Sequence, residues 1–197
     1  MKKFLKLFSL AAIVTLPFAA LAGDAEIDKP APRFKLKGGD GKEYNLESFK
    51  EKKAVVLMFI STRCPYSNAY NERMVKLYND YNGKDVVILG INANGTESWE
   101  DIQEHARDKK FAFSVLKDEG NVIADAYGAQ VTPEIYVLDH NLMLRYHGRI
   151  DNSHKINEVT TNDLREALDA MLAGKGIAKK ETKAFGCSIK RVKKDSD

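Results

Sequence analysis

The chain has 197 residues, of which 44% are hydrophobic and 30% charged, with two cysteines, one tryptophan and a formal net charge of +3. This apolar content excludes a disordered protein, the lack of any sustained period excludes coiled coils and repeat arrays, and two cysteines are too few for a zinc site built from cysteine pairs. The positive balance belongs to residues 1–22, which hold three lysines and no acidic residue; the remaining 175 carry 28 basic and 28 acidic groups, giving no support to a nucleic-acid or membrane-surface role.

Lys2, Lys3 and Lys6, the apolar run from Leu7 to Leu16 and Ala20-Leu21-Ala22 form the pattern of a secretory leader cleaved after Ala22. The run is shorter than the roughly 20 residues that cross a bilayer, so no membrane insertion is expected after cleavage. The lysine pair and alanine-rich end look bacterial, which makes the periplasm the expected destination and gives the two thiols an oxidising setting. The rest divides into one domain over 23–176 and a basic tail over 177–197 that carries Cys187. Within that tail, the charges over 179–194 read as a solvated run.

Residues 23–32, with two prolines and four charges, read as a mobile lead-in. Residues 33–37 alternate as a strand, Gly38-Gly39-Asp40-Gly41 signals a turn, and 43–44 return as a second strand. Asn45 is placed to cap a brief helix through Phe49. The continuous apolar run 54–60 predicts a fully buried central strand. From Pro65, apolar residues recur at helical spacing up to Gly83. A second buried strand is expected over 85–91, then a polar helix over 97–109 capped by Thr96, within a turn at Asn94-Gly95-Thr96. A strand over 111–116 and a short helix over 121–127 closed by Gly128 follow. Strands 135–139 and 143–146 pair across His140-Asn141, and Asn162 caps a last helix over 163–172, stopped by Gly174. The order predicts an α/β fold, a mixed central sheet with helices on both faces and an N-terminal β-hairpin extension.

Cys64 falls between the central strand and the helix that starts at Pro65. Unpaired N–H groups at a helix start stabilise a thiolate, the nucleophile of disulfide exchange and of peroxide reduction. Arg63 adds a neighbouring cation. Read without that context, Cys64 is a small core residue and Pro133 an ordinary proline entering the strand 135–139.

The stretches Phe59-Ile-Ser-Thr-Arg-Cys64-Pro-Tyr66, Tyr127-Gly-Ala-Gln-Val-Thr-Pro133, Gly148-Arg-Ile-Asp151 and Gly186-Cys-Ser-Ile-Lys190 occur in this order. In that respect the chain resembles, from about residue 27 to residue 191, the peroxiredoxin-like (redoxin, thiol-specific-antioxidant) branch of the thioredoxin superfamily. The resemblance implies a thioredoxin-like fold, a thiol-dependent, antioxidant-type oxidoreductase and no cofactor. It implies Cys64 as nucleophile, a cis-proline at Pro133 packed against it, and substrate backbone bound by Thr132 and Pro133, with Pro65 and Ser67 beside them. Ser67 stands where thioredoxins carry a second cysteine, and Ser61 where relatives in this branch often have one. Cys187 is therefore the candidate resolving thiol; a fixed disulfide pinning the tail is the other reading of the pair. Peroxiredoxins place proline and threonine where this chain has Leu57 and Ser61, so thiol–disulfide exchange is the expected chemistry. Its expected partners are protein or small-molecule disulfides and a reducing thiol. A thiol peroxidase and a non-catalytic binding module are the alternatives. His105, His140, His147 and His154 form no evident ligand pair with a cysteine, and no metal site is expected.

Overall fold

The computed structural model describes residues 24–193; the leader expected over 1–22 lies outside them. Strands β1 (Lys35–Lys37) and β2 (Glu43–Asn45) pair antiparallel as a hairpin. Asn45 then caps a 3-10 turn over Leu46–Phe49 by accepting from the Glu47 N–H. The main sheet is built from β3 (Ala54–Phe59), β4 (Val86–Asn92), β5 (Ser114–Lys117), β7 (Glu134–Leu138) and β8 (Leu144–Gly148), in the order β5-β4-β3-β7-β8. β3, β4 and β5 are parallel, whereas β7 and β8 run antiparallel to their neighbours. This is the expected thioredoxin-like mixed sheet.

Successive residues of β3 feed opposite layers, as a strand's period of two requires. Ala54, Val56 and Met58 pack with Met74, Leu77 and Tyr81 of α2 (Asn71–Tyr81), Ile102 of α3 (Trp99–Asp108) and Leu164 and Leu168 of α5 (Asp163–Leu172). Val55, Leu57 and Phe59 pack on the other face with Ile123 and Tyr127 of α4 (Val122–Tyr127) and with Phe34 and Leu46 of the N-terminal extension. The helices thus cover both faces, and β3 is buried throughout.

Several local expectations differ: β5 starts at Ser114 rather than at 111, and Asn162 precedes α5 without a side-chain cap bond. The helix after Cys64 is split into α1 (Pro65–Ala69) and α2 at Tyr70, where the Tyr70 N–H turns to the Ser67 carbonyl and the buried phenol bonds Asp151 at 3.0 Å. α3 is capped by Ser98 rather than Thr96, because Ser98 and Asp101 satisfy each other's N–H groups in a capping box, which leaves Glu97 outside the helix. The lead-in is not loose: Asp28 N–H donates to the Leu144 carbonyl at 2.7 Å and Ala31 N–H to the Leu142 carbonyl at 2.9 Å, running along β8. The tail is not merely a solvated run, since two short strands, β6 (Val131–Thr132) and β9 (Cys187–Ser188), form a separate antiparallel pair that docks it.

Candidate active site

Two loops converge at the carboxyl end of β3. The first, residues 60–64, delivers Cys64 as the N-cap of α1, with its sulfur accepting the Ser67 N–H at 3.3 Å. α1 is only five residues long, so the contribution of the helix start is this first-turn N–H rather than an extended dipole. The second loop, 129–133, brings the cis Thr132–Pro133 bond against it, and the Cys64 thiol donates to the Thr132 carbonyl at 3.2 Å.

Each loop is braced by a buried carboxylate. Glu97 accepts from the Ser61 hydroxyl, from Thr62 N–H at 2.8 Å and from Asn92 Nδ2 at 2.6 Å. Glu134 accepts from Gln130 N–H at 2.8 Å, Val131 N–H at 3.0 Å, His147 Nε2 at 2.7 Å and the Tyr136 hydroxyl at 3.3 Å. Burial opposes ionisation of both, but these donors outweigh it: Ser61, Thr62 and Asn92 hold Glu97 below the usual range, and His147 with the two backbone N–H groups does the same for Glu134. Neither role is legible in the sequence beyond one feature of Glu134, a charged residue opening an otherwise apolar strand.

The tail closes over the junction of the loops. Thr182 N–H donates to the His147 carbonyl at 3.0 Å, and Phe185 meets the Tyr66 ring edge-on at 6.4 Å. Cys187 then sits opposite Thr132 in the β6–β9 pair. Past it, Ile189 is buried, with its N–H on the Gln130 carbonyl at 2.9 Å, and Lys190 N–H reaches Asn94 Oδ1 at 2.9 Å. Arg191 pairs with Asp125 at 2.8 Å. Pinned on both sides, Cys187 lies within hydrogen-bonding reach of the Cys64 sulfur, and both thiols are free.

Burial pushes the Cys64 thiol up, but hydrogen bonding from Cys187, the Thr132 side chain and the Ser67 N–H outweighs it and brings the group below its ordinary value. Burial and the hydrogen bond to Cys64 both push Cys187 up. Of the pair, Cys64 is therefore the thiol whose ionisation is favoured and Cys187 the one whose ionisation is disfavoured. Cys64 is 4% exposed, whereas Cys187 is only half-buried.

The remaining expected site residues divide. Thr132 and Pro133 are buried beneath the tail, and Pro65 is exposed beside Cys64. The Ser67 hydroxyl accepts from Ser61 N–H at 3.1 Å, so its contact with the sulfur is through its main chain. Arg63 turns outward to Asp101 at 2.8 Å. No group of three or more metal-ligating side chains occurs among the described residues, and no helix among them is long and apolar enough to cross a membrane.

Residues 27–159 match the model of the AhpC/TSA family. The chain is 31% identical over 147 residues to a thiol-disulfide oxidoreductase ResA from Bacillus thuringiensis subsp. konkukian, covering 75% of this chain and 77% of that protein. It is 26% identical to a chloroplastic peroxiredoxin Q from Oryza sativa subsp. japonica, covering 64% and 60% of the two. An uncharacterised protein from Geobacillus kaustophilus superposes with a TM-score of 0.80 at 35% identity, covering 87% of this chain and 94% of that one. The match over residues 27–159, the kinship to a thiol-disulfide oxidoreductase and the thioredoxin-like sheet place the chain in the AhpC/TSA family as a thiol-dependent oxidoreductase of the thioredoxin superfamily.

Proposed function

We propose that the protein is an exported thiol–disulfide oxidoreductase in which Cys64 attacks and Cys187 resolves. The observation that carries this reading is the pairing of Cys187 in strand register with Thr132, the residue whose carbonyl accepts from the Cys64 thiol. In the cycle, the Cys64 thiolate attacks one sulfur of a substrate disulfide, forming a mixed disulfide and expelling the other sulfur as a thiolate. Cys187 loses its proton and attacks the Cys64 sulfur, which releases the second substrate thiolate and leaves a Cys64–Cys187 disulfide. Two electrons have passed to the substrate, and a reducing dithiol restores the pair. Protein or small-molecule disulfides are the substrate class, as the name of the ResA relative suggests.

Exchange is favoured over peroxide reduction by the donors around Cys64. A peroxide needs hydrogen-bond donors for its departing oxygen. The single proton of the Ser61 hydroxyl is directed to Glu97, and Arg63, Arg73 and Arg149 are paired with Asp101, Asp151 and Asp163. Export rests on the leader pattern of residues 1–22, and a chain recovered from the periplasm with Gly23 as its first residue is the expected result.

The deciding experiment compares reduction of a model disulfide with the reaction of reduced protein with hydrogen peroxide, followed by intact mass and peptide mapping. Exchange that is lost in Cys64→Ser, with Cys64 reacting with peroxide like a free thiol, supports the proposal. Rapid peroxide oxidation at Cys64, without exchange, makes the protein a peroxidase instead.

A further inference from the structure

Glu97 precedes the cap of α3 but points inward, and it is 4% exposed. Its main chain is anchored as well as its side chain: Lys117 Nζ donates to the Glu97 carbonyl at 2.8 Å and to the Asn94 carbonyl at 2.6 Å. The carboxylate is thus held against loop 60–64 rather than draped over it. Its chief partner there is the Ser61 hydroxyl, which has one proton to give and two lone pairs to offer. With its own proton directed at the Glu97 carboxylate, the serine oxygen accepts from Arg63 N–H at 3.2 Å and from Cys64 N–H at 3.0 Å. Its capacity is then filled.

We infer that Glu97 is a positioning residue for Cys64, acting through Ser61: it fixes the serine hydroxyl as an acceptor, and that acceptor holds the Cys64 main chain where the Ser67 N–H can reach the sulfur. The assignment rests on the exchange reading above and extends it to a residue that does not touch the sulfur. Three donors converge on the two Glu97 oxygens, so only a group without a proton of its own satisfies all of them. Glutamine has one oxygen. In either orientation its NH2 faces a donor, at Ser61 or at Thr62 and Asn92, and the loop must shift to relieve the conflict.

Charge and position predict opposite signs, which makes the inference testable. Removing a nearby negative charge favours a thiolate and lowers the Cys64 ionisation midpoint. Losing the alignment with the Ser67 N–H raises it. The experiment follows iodoacetamide alkylation of Cys64 against pH in the full reduced chain, by peptide mass, for wild type, Glu97→Gln, Ser61→Ala and the double variant. Glu97→Gln is expected to raise the midpoint by about one pH unit, a tenfold loss of thiolate below it. Ser61→Ala moves it the same way, and the double variant goes no further than the larger single effect, because both act through one hydroxyl. A midpoint that falls or stays unchanged in Glu97→Gln overturns the inference, even where thermal stability drops. If Glu97→Gln does not fold, an unchanged midpoint in Ser61→Ala overturns it alone. Alkylation needs no turnover, so this result is separate from the exchange assay on wild type, whose failure sinks the function proposal instead.

Discussion

Gly186→Ala perturbs the tail at its tightest contact with the domain. A Cβ at residue 186 meets the Thr132 carbonyl oxygen at 2.0 Å, the Thr132 carbonyl carbon at 2.7 Å and the Pro133 nitrogen at 3.3 Å, where ordinary contact begins at 3.4 Å. None of these atoms can swing aside. The loop beneath is tied by Glu134 to Gln130 and Val131 and rests on Cys64. The tail itself must therefore lift, which breaks the β6–β9 ladder and draws Ile189 out of its buried position. Ladder hydrogen bonds contribute about 1 kcal/mol each, and full burial of an isoleucine contributes about 1.5–3 kcal/mol. Losing the ladder and part of that burial destabilises the docked tail by roughly 3 kcal/mol, which is roughly a hundredfold in the population that presents Cys187 to Cys64. The assay is the equilibrium between the reduced pair and the Cys64–Cys187 disulfide in glutathione buffers, read by mass after acid quenching. The disulfide is expected to become easier to reduce by roughly two orders of magnitude. A shift of less than about threefold refutes the reasoning, because it means that the tail does not depend on this contact to bring the thiols together.

Cys187→Ala removes a proton donor from the Cys64 sulfur, so the Cys64 ionisation midpoint rises and alkylation at neutral pH slows; a fall in the midpoint contradicts the polarised pair. Glu134→Gln leaves at least one of four donors without an acceptor, and urea denaturation is expected to show a loss of about 1–3 kcal/mol. Glu97 and Glu134 are both held below the usual 4.5, so the stability they confer is complete above that pH and is lost as pH falls through their lower folded values. The thermal midpoint of wild type therefore drops below pH 4.5, and Glu134→Gln drops less steeply; parallel curves for the two proteins count against an ionised Glu134.

Much of the frame was legible because it depends on local pattern. The apolar run after Lys53 forms β3, Cys64-Pro65 starts a helix, and Gly128 closes α4 with a positive φ of 70°. What the sequence hid are choices settled by distant partners. Thr96 and Ser98 both suit a helix cap, and Ser98 is used because Asp101 answers it across the first turn. With the cap moved, Glu97 is freed to turn inward toward donors supplied by residues 61, 62 and 92. β6 and β9 are two residues each, too short for any periodicity to betray, and they lie 55 positions apart in register at Thr132 and Cys187. Ser67 meets the sulfur through its main chain, because its hydroxyl is taken up by the Ser61 N–H of the preceding loop.

The docked tail also bears on which sulfur the reductant meets in the proposed cycle. Cys64 is covered by the very segment that carries its partner, whereas Cys187 remains half-exposed. An external thiolate approaching the Cys64–Cys187 disulfide therefore finds the Cys187 sulfur first. Leaving-group chemistry points the same way. The sulfur expelled is then Cys64, whose thiolate is stabilised by the Ser67 N–H, and a thiol of lower pKa departs faster. Attack at Cys64 instead expels Cys187, the member of the pair whose thiolate is disfavoured. Access and leaving-group stability thus favour the same bond cleavage, so the tail cysteine is both the resolving thiol of one half-cycle and the entry point for electrons in the other. Of the two half-reactions, only the attack of Cys64 on a substrate disulfide then requires the tail to lift; the reducing half-reaction leaves it docked.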